Sequence, residues 1–147
     1  MKHIITGEFS DSIPPILDGV ALVALNYCHY LNKGGYGTSY LIGPEVNSYH
    51  EDSTPVIKYK SYEIPIFRPY RLGIPQISQF RGTLESINFD IVHTHSPFIS
   101  GKEAARIANK KDIPLVATFH SKYRDDFMKV LHSSTITDAV IHKVVKF

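Results

Sequence analysis

Asp90-Ile-Val-His-Thr-His-Ser-Pro-Phe98 and, one helical segment further along, Ile113-Pro-Leu-Val-Ala-Thr-Phe-His120 constrain this chain more than any other stretch. Each is a short apolar run that stops abruptly in polar, histidine-bearing residues. Strands joined through a helix run parallel, because the crossover brings the chain back to the edge where it started. Helices then cover the faces of the sheet, and ligands collect outside the carboxyl ends of the strands. Two histidine-tipped strand ends therefore fall on one edge of an α/β sheet and mark a site there.

The rest of the chain keeps the same alternation. Lys2 to Thr6 reads as a buried first strand ended by Gly7, and the loop from Glu8 to Gly19 carries the turn-forming Pro14-Pro15 pair. Val20, Val23, Ala24, Tyr27 and Leu31 then share one helical face, and Gly34-Gly35 stops the helix. Thr38 to Ile42 is a second strand closed by Gly43-Pro44, followed by a polar surface loop over 45–54. Residues 56–70 are extended but interrupted by Pro65 and Pro69, which suits edge strands or a meander. A weak helix covers Gln76 to Ile87, and a strand runs from Ile91 to His95. The next helix opens at Ser96-Pro97, with a nested capping box at Ser100-x-x-Glu103 and Lys110-Lys111 at its carboxyl end. Strand Leu115 to Phe119 follows, then helical segments over Tyr123 to Leu131 and Thr135 to Phe147. The pattern predicts a Rossmann-like, doubly wound, mostly parallel sheet with helices on both faces. The last helical period runs to the final residue with neither a capping glycine nor a closing strand, so residues 1–147 are expected to be a single domain interrupted in its last helix.

Composition narrows the class. A chain of 147 residues, 43% hydrophobic and 20% charged, is one ordinary globular domain. A net charge of +2 makes no case for nucleic acid. The lone Cys28 rules out an internal disulfide, fits a reducing compartment and falls in the apolar pattern of the first helix. No apolar run approaches the roughly 18 residues of a membrane span, and the amino terminus is too short in apolar residues for a signal peptide. A cytoplasmic chain is expected, with any membrane contact peripheral, at the inner face of the plasma membrane.

Three constellations carry chemistry. Asp18-Gly19-Val20 places a glycine just before a helix, where an anion can approach free backbone N–H groups at the positive end of the dipole. Gly19 equally serves a tight turn, and there is no G-x-G-x-x-G to suggest a nicotinamide cofactor. His93 and His95 alternate on one strand face and, with His120, have the makings of a three-histidine zinc site. No Asp or Glu adjoins them in sequence to orient them, so hydrogen bonding to neighbouring loops is preferred and no metal is expected. His120 precedes the polar turn Ser121-Lys-Tyr-Arg124, where a group titrating near neutrality suits a place beside a sugar or phosphate, or simply braces the loop. Finally, Lys58, Lys60, Arg68, Arg71 and Arg81 interleave with Tyr59, Tyr62, Phe67, Tyr70 and Phe80, a composition that seats domains on anionic membranes or forms a solvated edge over buried aromatics.

Pro14-Pro15-Ile-Leu-Asp-Gly-Val20, Asp90 through Phe98 and Ile113 through His120, in this order, resemble the N-terminal half of a retaining glycosyltransferase of the GT-B architecture, in the large group-1 family (GT4). The resemblance covers essentially the whole chain. It implies that Gly19, with Asp18, approaches the diphosphate of a nucleotide-sugar donor such as UDP-glucose. It also implies that His120 is the catalytic-site histidine, hydrogen-bonding a sugar hydroxyl, with His95 and Ser96 lining the site. The His-Ser-Pro-Phe form is most similar to members that glycosylate lipids, such as diacylglycerol glucosyltransferases. Those dock on membranes through this half, which assigns Arg68, Arg71, Arg81 and Tyr123 to the acceptor and membrane side. Such enzymes use no metal cofactor, and the leaving phosphate itself takes the acceptor's proton.

In that family a second Rossmann-like half holds most of the donor through a Glu-x₇-Glu motif, and no two glutamates of this chain have that separation. The resemblance therefore implies an acceptor-side domain whose partner is the C-terminal domain of the same protein, inactive alone. Two rivals are a stand-alone flavodoxin-like module binding phosphate or nucleotide, and a regulatory half-enzyme paired with a separate donor-binding chain. A half-enzyme predicts an uncovered apolar face, and a self-sufficient module predicts none.

Overall fold

The computed structural model describes residues 2–16, 18–46, 53–63, 65, 68, 71–120, 128 and 132–145. Along them run β1 (Ile4–Phe9), α1 (Gly19–Lys33), β2 (Gly37–Pro44), β3 (Val56–Tyr59), β4 (Ser61–Glu63), β5 (Arg71–Gly73), α2 (Ser78–Ser86), β6 (Ile91–Thr94), α3 (Ile99–Lys111), β7 (Leu115–Ala117) and α4 (Ser134–Val145). Five strands pair in parallel in the order β3-β2-β1-β6-β7. The proline-punctuated stretch gives the edge strand β3 and a separate antiparallel pair, β4 with β5. This is the Rossmann-like arrangement expected from the alternation. The predicted segment Tyr123 to Leu131 lies almost wholly outside the described residues.

Alternation along each strand sends side chains to two different cores. Phe9, Ile42 and Val92 pack with Phe80 and Leu84 of α2 and with Ala104, Ile107 and Ala108 of α3. Leu41, on the opposite face, packs with Ile13 and with Ala24 and Cys28 of α1. Each fully buried Leu, Ile or Phe contributes about 1.5–3 kcal/mol of transfer free energy, so these clusters hold the layers together. β2 leaves β1 on one side and β6 lies on the other, which makes the carboxyl ends of β1 and β6 the topological switch point.

Three local expectations are corrected. β1 runs through Gly7 to Phe9, because Gly7 is a close-packing residue and not a terminator. A Cβ there would lie 3.0–3.1 Å from the side chains of Ile42, Phe89 and Phe9. The buried face of α1 is Ala21, Ala24 and Cys28, while Tyr27 turns to a flank and stays 47% exposed. Small residues let the helix close on the strands. At the head of α3 no local side chain caps the helix. The cap comes instead from Asp11 in the loop after β1, whose Oδ1 accepts from the Ser100 N–H at 2.9 Å. Glu103 does not reach back as a capping box, because Arg81 and Arg106 hold its carboxylate.

Candidate functional site

The switch point gathers residues from four segments. Asp18 caps α1, its Oδ1 accepting from the Ala21 N–H at 2.7 Å, and Gly19 is exposed with no atom within 4 Å of where a Cβ would stand. The loop after β1 and the start of α1 thus leave open space at a helix amino terminus. His120, beyond β7, lies near enough to Asp18 that the carboxylate opposes the lowering of its pKa. Asp18, next to Gly19 at the head of α1, is thus within electrostatic reach of His120.

Behind His120 is a buried polar cluster on the α1 side of the sheet. The His95 ring is fully buried, its Nδ1 is 3.0 Å from Nε2 of His120, and its Nε2 is 3.0 Å from Oε2 of Glu8. His93 reaches the same Oε2 with Nδ1 at 2.9 Å, and its Nε2 is 2.8 Å from the Thr118 hydroxyl. The Thr6 hydroxyl lies 3.2 Å from Oε1 of Glu8. The His95 and His120 rings stack with centroids 5.2 Å apart, and Tyr27 packs edge-on against His93 at 5.2 Å.

The electrostatics follow from this geometry. Burial pushes the Glu8 carboxyl up, but hydrogen bonds and charge from His93 and His95 outweigh it and leave Glu8 below the ordinary carboxylate range. Burial, helped by the neighbouring His95 and His93, holds His120 below the usual histidine range and so favours its neutral form. Asp11 is raised by burial despite its bonds to Ser100 and Tyr59.

Glu8 is the residue sequence reasoning missed. With the first strand ended at Gly7, Glu8 fell in the loop and no carboxylate was placed beside the histidines. The structure overturns that point, since Glu8 ends on the same face as His93 and His95 through the parallel register Glu8↔His93. The signal was present as the alternation of Thr6 and Glu8 on an otherwise apolar strand. Glu8, His93 and His95 bring atoms suited to metal ligation within 4.8 Å of one another. Hydrogen bonding nonetheless accounts for every ring nitrogen of His93 and His95.

The remaining expected residues divide. Ser96 links loops, its Oγ accepting from the Asp11 N–H at 3.2 Å while its own N–H and C=O engage the Thr94 hydroxyl. The three arginines do not form one patch. Arg68 is exposed beside Glu63, Arg71 is nearly buried between Ser61 and Glu63, and Arg81 pairs with the buried Glu103. Tyr123 lies outside the described residues. Among the described residues no helix is long and apolar enough to cross a membrane.

A Rossmann-like sheet with a glycine-led helix and a histidine cluster at its switch point is consistent with the fold of the N-terminal half of a GT-B glycosyltransferase. The sequence model of Glycosyltransferase Family 4 matches residues 17–142, and the chain belongs to that family. It is similar to an alpha-monoglucosyldiacylglycerol synthase from Acholeplasma laidlawii, 29% identical over 81% of this chain and 30% of the relative. A GDP-mannose-dependent alpha-mannosyltransferase from Corynebacterium glutamicum is 24% identical over 76% of this chain and 28% of its own length. An alpha-monoglucosyldiacylglycerol synthase from Streptococcus pneumoniae is 22% identical over 95% and 32%. The chain thus spans less than a third of each of these relatives.

Proposed function

We propose that this chain is the acceptor-binding half of a retaining glycosyltransferase that moves a hexose from a nucleotide-sugar, UDP-glucose-like, to a lipid acceptor, and that it turns over only with a donor-binding half. The observation that carries the reading is His120, backed by the buried His95–Glu8 pair at the switch point and within electrostatic reach of Asp18 at the head of α1, in a Family 4 chain. Two similar relatives bear the name of a glucosyldiacylglycerol synthase, which favours the lipid acceptor.

In this reading the amino end of α1 offers backbone N–H groups and its dipole to the donor diphosphate at Gly19, without a metal. His120 hydrogen-bonds a hydroxyl of the transferred sugar or acceptor, and the departing phosphate takes the acceptor's proton. The open flank supports a half that works against another domain: Ile4, Tyr27 and Val116 are 43%, 47% and 42% exposed on the α1 side. Peripheral membrane contact falls to the β4–β5 pair, where Tyr62, Leu72 and Ile74 are exposed and Lys60 sits over the Tyr62 ring.

The test is transfer by the full-length protein from labelled UDP-glucose to vesicles containing diacylglycerol. The expected result is labelled glycolipid with the donor's anomeric configuration, and a loss of about 100-fold or more in His120→Ala. Near wild-type turnover in that variant sinks the role of His120. Binding of nucleotide with no transfer to any lipid or glycan favours the stand-alone module.

A further inference from the structure

We propose that Glu8 and His95 are positioning residues that set the protonation state of His120, so that His120 meets its ligand hydroxyl with Nδ1 as a hydrogen-bond acceptor. The identity of that hydroxyl rests on the function proposed above, whereas the hydrogen-bond order rests on geometry alone.

Glu8 fixes the start of the chain. It is 2% exposed and receives His93, His95 and Thr6. A buried carboxylate surrounded by donors is held as the anion, an acceptor only. His95 must then carry its proton on Nε2, which faces Glu8 at 3.0 Å. A neutral imidazole protonated on Nε2 has its lone pair on Nδ1. That lone pair is 3.0 Å from Nε2 of His120, so His120 must donate there through Nε2–H. Neutral His120 is left with its lone pair on Nδ1. A carboxylate that steers one imidazole through the far nitrogen of another is the logic by which outer partners fix histidine tautomers at working sites.

The other charged and titratable neighbours agree. His93 places Nδ1 on Glu8 and Nε2 on the Thr118 hydroxyl, so it ties the end of β7 to the cluster. From α1, Tyr27 packs on both strand histidines, and the buried Cys28 thiol is pushed up to about 12. Asp18 favours a positive His120, but burial and the two histidines prevail. The alternative order, with His95 donating from Nδ1 and His120 donating from its own Nδ1, requires an added proton on His95. Such a proton would be held by the Glu8 charge, which is why Glu8 controls the pair.

The first measurement is a long-range ¹⁵N–¹H correlation spectrum of the full chain labelled at histidine, recorded near pH 8. It should show His95 and His120 both protonated on Nε2, and a proton on Nδ1 of either overturns the proposal. This needs no variant, no ligand and no turnover, so it separates from a failure of the glycosyltransferase reading. The second is titration of the same signals in Glu8→Gln, with folding checked by the amide spectrum. Loss of the Glu8 charge behind His95 should lower the apparent midpoint of His120 by about 1 unit or more, a tenfold change in proton affinity. In the His95→Phe background the same Glu8 substitution should no longer move His120. An unchanged midpoint in folded Glu8→Gln, or an undiminished Glu8 effect without His95, refutes the relay. In the full-length enzyme, Glu8→Gln should shift the acid limb of the pH profile of kcat/KM in the same direction as the midpoint.

Discussion

Oε2 of Glu8 and Nε2 of His95 are 3.0 Å apart although 87 residues separate them in the chain. The pair joins the ends of β1 and β6 on the face that α1 covers, next to His93, which shares the same oxygen. Removing one partner of a buried charged hydrogen bond leaves the other desolvated and unpaired. Glu8→Leu should therefore lower unfolding free energy by about 3 kcal/mol or more, with Glu8→Gln costing less because an amide oxygen still accepts. Urea denaturation of the full chain checks this. A Glu8→Leu protein within about 0.5 kcal/mol of wild type, the range of an ordinary surface change, would mean that water substitutes freely for the carboxylate.

Stability should rise with pH from acid to neutrality. His120 has a folded-state pKa below its ordinary 6.5, and Glu8 one below its ordinary 4.5. Below those ordinary values the unfolded chain binds more protons than the folded one. The stabilisation from His120 is full above 6.5 and is lost as pH falls through its lower folded value, and that from Glu8 is lost further into acid. Asp11, raised above 3.8 by burial, works the other way at the acid end. Thermal melts should show Tm falling from pH 7 to pH 5, with His120→Asn flattening the upper part of the fall. A Tm that is level over that interval contradicts the assignment.

What was readable in the sequence was whatever local pattern alone decides. β2, β6 and β7 were legible from their apolar runs, α1 from its period and its glycine stop, and the shared face of His93 and His95 from strand alternation. Glu8 was not, because Gly7 looks like a terminator unless the close packing of Ile42 and Phe89 around it is known. The α3 cap was equally hidden, since Asp11 supplies from 89 residues away what a local serine was expected to supply. The basic stretch looked uniform in composition, yet tertiary structure divides it: Arg81 pairs with the buried Glu103, and of the two arginines at Glu63 only Arg71 is nearly buried.

That division can be measured. Glu103 is 4% exposed and takes both Arg81 and Arg106, whereas Arg68 is 69% exposed beside an exposed Glu63. Arg81→Ala should destabilise the fold by about 1–2 kcal/mol, since a buried carboxylate loses one of its donors. Arg68→Ala should stay within about 0.5 kcal/mol, as exposed pairs do. If the exposed arginine contributes to membrane contact, co-sedimentation with anionic vesicles should weaken in Arg68→Ala and not in a folded Arg81→Ala. The reverse ranking in denaturation would show that Arg106 alone satisfies Glu103.

Two glycines separate packing from ligand approach. At Gly37 a Cβ would stand 1.8 Å from the carbonyl oxygen of Ile4, its register partner on β1, so the strands themselves would have to part. Gly37→Ala should cost about 3 kcal/mol, at the upper end of overpacking. At Gly19 a Cβ meets nothing, and alanine is the better helix former. Gly19→Ala should keep or slightly raise Tm. If a diphosphate closes on the backbone at that helix end, the same methyl group stands in its path. The full-length enzyme should then show KM for the nucleotide-sugar raised about tenfold, which corresponds to ~1.4 kcal/mol of lost binding. A stable Gly19→Ala protein with unchanged KM would remove Gly19 from the donor site and leave it as the residue that turns the chain into α1.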